Sequence, residues 1–184
     1  MIKILFICHG SICRSPMAEY VMKDMVKKAG YEGDFLIASA ATSREELGNP
    51  VYPPARRKLA EHGIDCQGHE ARQMTAQDGE KYDLLVGMDR ENLRNMKRIC
   101  PDNQEKCHLL MDYADLTEEN NPVEDSGKKK QGSHRDSYWA GHWSEREVAD
   151  PWYTGDFDAT WRDITAGCQG LLKACLKGRK AAWE

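Results

Sequence analysis

Ile2-Lys3-Ile4-Leu5-Phe6-Ile7-Cys8-His9-Gly10-Ser11-Ile12-Cys13-Arg14-Ser15-Pro16 is the stretch that decides the fold. Ile2–Cys8 is a nearly continuous apolar run, the pattern of a strand buried on both faces. Pro16–Lys28 then carries Met17, Val21 and Met25 at helical spacing, with a proline near its start and Gly30 past its end. Moving outward, Phe35–Ala38 reads as a second strand and Pro54–His62 as a helix stopped by Gly63. Tyr82–Met88 is a third strand, Asp89–Ile99 a helix opened by an acidic cap, Cys107–Met111 a fourth strand, and Phe157–Leu176 the last helix. Alternating apolar strands and amphipathic helices predict an α/β fold: an open, doubly wound, four-stranded parallel sheet with helices on both faces. Ligands in such sheets sit beyond the C-terminal ends of the strands. The turn after the first strand is therefore the place to look for a site, and it has the make-up of a phosphate loop.

In that turn a cysteine is followed, after five residues, by arginine and serine. Backbone N–H groups of a tight loop entering a helix point inward and bind a phosphate dianion. The same field favours the Cys8 thiolate as a nucleophile. Arg14 offers a planar fork to two phosphate oxygens and keeps its charge at any working pH. Gly10 lets the backbone approach the anion closely. Spacing alone is weak evidence, because with seven cysteines chance expects about half a match to C-x5-R in a chain of this length. Indeed Cys66–Arg72 is a second match, but it follows no strand and opens no helix. Context distinguishes the first.

The chain has 184 residues, 40% hydrophobic and 30% charged, which predicts a single domain over 1–184. A net charge of −4 gives no electrostatic case for nucleic acid as a partner. Ile4–Cys8 is the longest apolar stretch, so no membrane-spanning helix is expected, and the N-terminus lacks the features of a secretory signal. Scattered cysteines without a C-x2-C argue against a zinc site or a disulfide framework and suggest a reducing cytoplasm. A polar insertion at about 117–147 interrupts the pattern; it holds Tyr138, Trp139 and Trp143, the makings of either a solvated excursion or a lid. His134 and His142 lack the partners for a metal site.

The residues resemble the low-molecular-weight protein tyrosine phosphatase family. Cys8–Glu19 is similar to its phosphate loop and following helix. Ser39–Ser43, Gly48-Asn49-Pro50, His62-Gly63-Ile64, His69–Gln73, Met88-Asp89 with Asn92-Leu93, and Asp150–Tyr153 are similar to further family segments in the same order. The resemblance implies hydrolysis of phosphotyrosine in proteins, or of aryl phosphates, through a phosphocysteine on Cys8, without metal or organic cofactor. Asp150 would be the general acid, so that mildly acidic pH is favoured. Ser15 would hydrogen-bond the Cys8 sulfur, and Cys13 could pair with Cys8 on oxidation. Ser39 and His69 would brace the loop, and Asp89 would flank it or simply cap its helix. The loop residues His9, Gly10, Ser11 and Ile12 would surround the substrate with Glu45, Trp152 and Tyr153. Phosphate or vanadate would inhibit, and the protein would act as a monomer.

Two residues depart from the family pattern. Ser11 stands where asparagine is usual, and Glu45 falls near the place of an aromatic wall. Two alternatives remain open on sequence. Arsenate reductase shares the scaffold and would draw on Cys100 and Cys107; a phosphotyrosine-binding or redox-sensing module would have lost turnover.

Overall fold

The computed structural model describes residues 1–114 and 146–181; most of the insertion, with Tyr138, Trp139 and Trp143, lies outside them. Four strands form one parallel sheet in the order β2-β1-β3-β4, where β1 is Ile2–Cys8, β2 Phe35–Ala41, β3 Leu84–Gly87 and β4 Cys107–Leu109. The helices are α1 Arg14–Lys28, α2 Pro53–Glu61, α3 Ala76–Lys81, α4 Arg90–Ile99, α5 Pro151–Thr154 and α6 Phe157–Ala181.

Side chains of a strand alternate between faces, and here both faces are covered. Ile4, Phe6 and Cys8 of β1, with Phe35 and Ile37 of β2, pack against Met17, Val21 and Met22 of α1 and Ile164, Cys168 and Leu171 of α6. Leu5 and Ile7 face the other way, against Leu85, Met96 and Cys100. Full burial of such side chains stabilises by about 1.5–3 kcal/mol each, so the central strand is the main anchor of the fold. Gly167 and Gly170 let α6 lie close to the chain after β4: a Cβ on Gly170 would stand 1.8 Å from the Tyr113 carbonyl oxygen.

Several boundaries move from the sequence-based expectations. β2 runs on to Ala41, because every residue from Phe35 to Ala41 pairs with β1. Tyr82–Met88 shortens to Leu84–Gly87 and Cys107–Met111 to Cys107–Leu109, after which Leu110–Asp112 turns as a 3-10 helix. α6 continues five residues beyond Leu176, to Ala181. The polar helix α3 was not foreseen. The chain passes from β1 to β2 on one side and later returns to β3 on the other, so the loop after β1 opens at the point where the strand order reverses. That is where such sheets bind ligands.

Candidate active site

Cys8 ends β1, and the loop from His9 to Cys13 curls back over its sulfur. The Ser11 N–H donates to Cys8 Sγ at 3.3 Å. Ser11 is, among the described residues, the non-glycine residue with positive φ, at 55°. This left-handed conformation costs an L-residue on the order of 1–2 kcal/mol, and contacts around Ser11 hold it there. His69 Nε2 lies 2.7 Å from the Ser11 carbonyl oxygen, and Ser11 is fully buried. Space at Gly10 is tight, since a Cβ there would stand 3.0 Å from Glu46 Cγ. The rim of the loop is fixed to the segment after β2 by Thr42 N–H to the Cys8 carbonyl and Ser43 N–H to the His9 carbonyl, at 2.9 and 3.0 Å.

Arg14 opens α1, and only 3% of it is exposed. Its guanidinium is shared between two carboxylates: Nη1 donates to Asp89 Oδ2 and Nη2 to Asp150 Oδ2, each at 2.8 Å. Burial opposes the charge, but Cys8, Asp150 and Asp89 outweigh it and raise Arg14 above its usual value. Asp89 does both things that the sequence suggested. Its Oδ2 holds Arg14, and its Oδ1 accepts the Asn92 N–H at 2.7 Å, capping α4.

Asp150 caps the short α5 by accepting the Trp152 N–H at 3.0 Å, and its loop is tied down just before it. Val148 N–H donates to the Met88 carbonyl at 2.9 Å, Ala149 N–H to Asp163 Oδ2 at 3.0 Å, and Thr160 Oγ1 to the Ala149 carbonyl at 2.8 Å. Arg14 and Asp150 thus meet although they are far apart in sequence.

Behind the loop the side chains form a hydroxyl line. Cys8 Sγ donates to Ser15 Oγ at 3.2 Å, Ser15 Oγ to Ser11 Oγ at 3.1 Å, and Ser11 Oγ to Ser39 Oγ at 3.5 Å. Ser39 Oγ then donates to Glu19 Oε2 at 2.5 Å. Glu19, 6% exposed, also accepts from Lys23 Nζ at 2.5 Å and faces His69 Nδ1 at 3.9 Å. Sequence reading passed over Glu19. The available signal was a carboxylate one turn beyond Ser15, on the buried stripe of α1.

Ser11 and Ile12 therefore turn away from the mouth: Ser11 faces the hydroxyl line, and Ile12 packs with Cys13, Ala71 and Tyr52. Only their backbone is offered to an anion. His9 and Glu45 form an exposed pair at the rim, 3.0 Å apart. Trp152 and Tyr153 stand at 57% and 85% exposure, with Trp152 5.4 Å from Tyr52. Cys13, 6% exposed, is pushed up to about 12 by burial first and then by Cys8 and Asp150.

The other thiols lie elsewhere. Cys107 is in register with Leu85, and Leu85 with Leu5. That places Cys107 three residues down the sheet from Cys8, roughly 10 Å along the strands. Cys100 caps the end of α4. The pair that arsenate reduction would require is not at the loop. Arg72, in the second C-x5-R match, is paired instead with Asp78 at 3.0 Å.

Fold and site together describe a phosphate-binding loop with a buried arginine, a thiol at its centre and a carboxylate at its edge. Residues 3–136 match the family model of low molecular weight phosphotyrosine protein phosphatases. The low molecular weight protein-tyrosine-phosphatase YfkJ of Bacillus subtilis is 33% identical over 98% of this chain and 99% of its own length. Its crystal structure superposes with a TM-score of 0.78, covering 97% of this chain and 96% of the other. The low molecular weight protein tyrosine phosphatase of Streptococcus pyogenes superposes with a TM-score of 0.71 at 30% identity, covering 95% and 93%. A Drosophila melanogaster low molecular weight phosphotyrosine protein phosphatase is 37% identical over 67% of this chain and 78% of its own. The chain belongs to the low molecular weight protein tyrosine phosphatase family. The family model ends at residue 136, ahead of Asp150; the structure brings that residue to the site through its contact with Arg14.

Proposed function

We propose that the protein hydrolyses phosphotyrosine in proteins, and small aryl phosphates, with Cys8 as nucleophile, Arg14 as phosphate clamp and Asp150 as acid and base. The observation that carries this is the Cys8 sulfur lying inside the loop, under the Ser11 N–H, with Arg14 at the loop's end.

In the first step a lone pair of the Cys8 thiolate forms an S–P bond as the P–O bond to the aryl group breaks. The leaving oxygen takes that electron pair and a proton from Asp150. The loop N–H groups and Arg14 stabilise the equatorial oxygens, whose charge grows in the transition state. Phosphate competes with Asp150 for the Arg14 Nη2 edge, which frees the carboxyl to turn toward the leaving group. In the second step water attacks phosphorus, Asp150 takes its proton, and the S–P electrons return to Cys8 with Ser15 donating to the sulfur. Trp152 and Tyr153 follow Asp150 in the chain, exposed, with Trp152 against Tyr52, a surface suited to an aromatic ring. His9 pairs with Glu45 and Glu46 lies beside Gly10, an acidic edge to the loop.

Inorganic phosphate and vanadate fit the same cradle as inhibitors, and a monomer in the cytoplasm suffices for the chemistry. Cys8→Ser tests the assignment: turnover of an aryl phosphate should disappear while phosphate binding persists, because the loop amides and Arg14 remain. Residual activity within about tenfold of wild type would remove the thiolate mechanism.

A further inference from the structure

Glu19 has no part in the chemistry above, yet it is a buried carboxylate joined to the nucleophile by an unbroken line of hydroxyls. From Cys8 Sγ the contacts run to Ser15, Ser11, Ser39 and Glu19, at 3.2, 3.1, 3.5 and 2.5 Å. We propose that Glu19 acts on Cys8 through this line as a positioning residue, and that Ser11, by supplying the middle hydroxyl, makes the protonation of Cys8 depend on Glu19. This deepens the reading of Cys8 as the nucleophile and rests on it.

Counting protons shows why. Three hydroxyls carry three protons, and the line has four contacts to fill. With Cys8 a thiol and Glu19 a carboxylate, the thiol proton is the fourth, and every contact is filled by donation toward Glu19. When Cys8 becomes a thiolate it is an acceptor, so Ser15 must turn its proton toward the sulfur. Three protons then serve four contacts between two anionic ends, and one pair of oxygens is left facing without a hydrogen. Ionised Glu19 therefore opposes the thiolate, beyond any repulsion through space. A longer, amide-bearing side chain in place of Ser11 would not form this line of single-proton rotors.

Other charged groups set the background. Lys23, on the same helix, and His69, from the segment before α3, face Glu19; Tyr20, one residue on from Glu19, feels it too and is pushed up to about 12, chiefly by burial. Arg14 and Cys13 face Cys8 from α1 and its loop, and Asp89 and Asp150 act there through Arg14. Glu19→Gln also takes the carboxylate away from Lys23 and His69, and the same loss occurs in the Ser11→Ala background, where the line is cut, so comparing the two backgrounds isolates the line.

The test is the pH dependence of iodoacetamide alkylation, read by mass spectrometry on the Cys8 peptide. Glu19→Gln supplies a donor to Ser39, and Ser39→Ala leaves two protons for two contacts; in both the thiolate is no longer short. Each should lower the midpoint of Cys8 alkylation by about one pH unit, the size of one unfilled hydrogen bond. Below the midpoint alkylation then runs about tenfold faster. Ser11→Ala cuts the line, so adding Glu19→Gln to it should move nothing.

An unchanged midpoint in Glu19→Gln overturns the proposal. So does a shift that survives in the Ser11→Ala background, which would mean repulsion through space, or a rise in Ser39→Ala, which would mean that Ser39 only braces the loop. Should Glu19→Gln not fold, Ser39→Ala decides alone. Turnover that persists in Cys8→Ser would sink the nucleophile assignment itself, a failure separate from any midpoint.

Discussion

Replacing Asp150 with asparagine should move two measurements in opposite directions. Asp150 Oδ2 holds Arg14 Nη2 at 2.8 Å, so a phosphate that takes that edge competes with it. Two unit charges about 4 Å apart attract by about 4 kcal/mol at an effective dielectric of about 20. The Asp150 side chain is 27% exposed and regains water when it lets go, so about a third of that, roughly 1–1.5 kcal/mol, is the net hold. Asn removes this competitor, and the repulsion between carboxylate and phosphate with it. Phosphate should then bind Asp150→Asn about tenfold more tightly than wild type. The amide has no proton to give to a leaving phenolate, so esters with poor leaving groups should slow by about 10²–10⁴ and activated ones far less. The assay is the inhibition constant of phosphate, with an activated aryl phosphate as reporter, beside single-turnover rates over a leaving-group series. Unchanged or weaker phosphate binding would show that Asp150 does not guard Arg14. Equal slowing across the series would show that it is not the acid.

Three further outcomes follow from burial and packing. Cys13, held up to about 12 by burial and by Cys8, stays a thiol through pH 7–9, so limited iodoacetamide should label Cys8 first; first label on Cys13, seen by peptide mass spectrometry, would contradict the geometry. Gly170→Ala forces a Cβ to within 1.8 Å of the Tyr113 carbonyl oxygen and should lower unfolding free energy in urea by about 2–4 kcal/mol. Gly178→Ala meets nothing within 4 Å and should raise it by about 0.5–1 kcal/mol.

The frame was readable because Ile2–Cys8 is apolar throughout and the turn after it carries its own chemistry. What was missed has physical causes. α3, with sequence AQDGEK, contains a glycine and no apolar stripe, so periodicity is silent. Its one local sign was Thr75 followed three residues later by Asp78, whose carboxylate accepts the Thr75 N–H at 2.8 Å. Ser39-Ala40-Ala41 lacks the large side chains of a strand and is extended because β1 pairs with it, a tertiary cause. Ser11 stood out in sequence only as a departure from the family's asparagine. Its hydroxyl joins Ser15 and Ser39, a role visible only when three separated serines are brought together. Asp89 was read as flanking the loop or as a cap; one of its oxygens holds Arg14 and the other accepts the Asn92 N–H.

The anchoring of Val148 and Ala149 bears on how much sequence variety this fold tolerates. Ahead of Asp150 the chain is bound to β3's end through Met88 and to α6 through Asp163 and Thr160, and Glu147 Oε1 accepts the Arg90 N–H at 2.9 Å. These bonds work as a strain relief on a cable: a pull from the upstream side is taken up by the sheet and α6 before it reaches Asp150. Evolution can thus lengthen, shorten or recharge the preceding connection without retuning Asp150 against Arg14. The placement of Asp150 against Arg14 is set by the segment from Met88 to Arg90 and by α6.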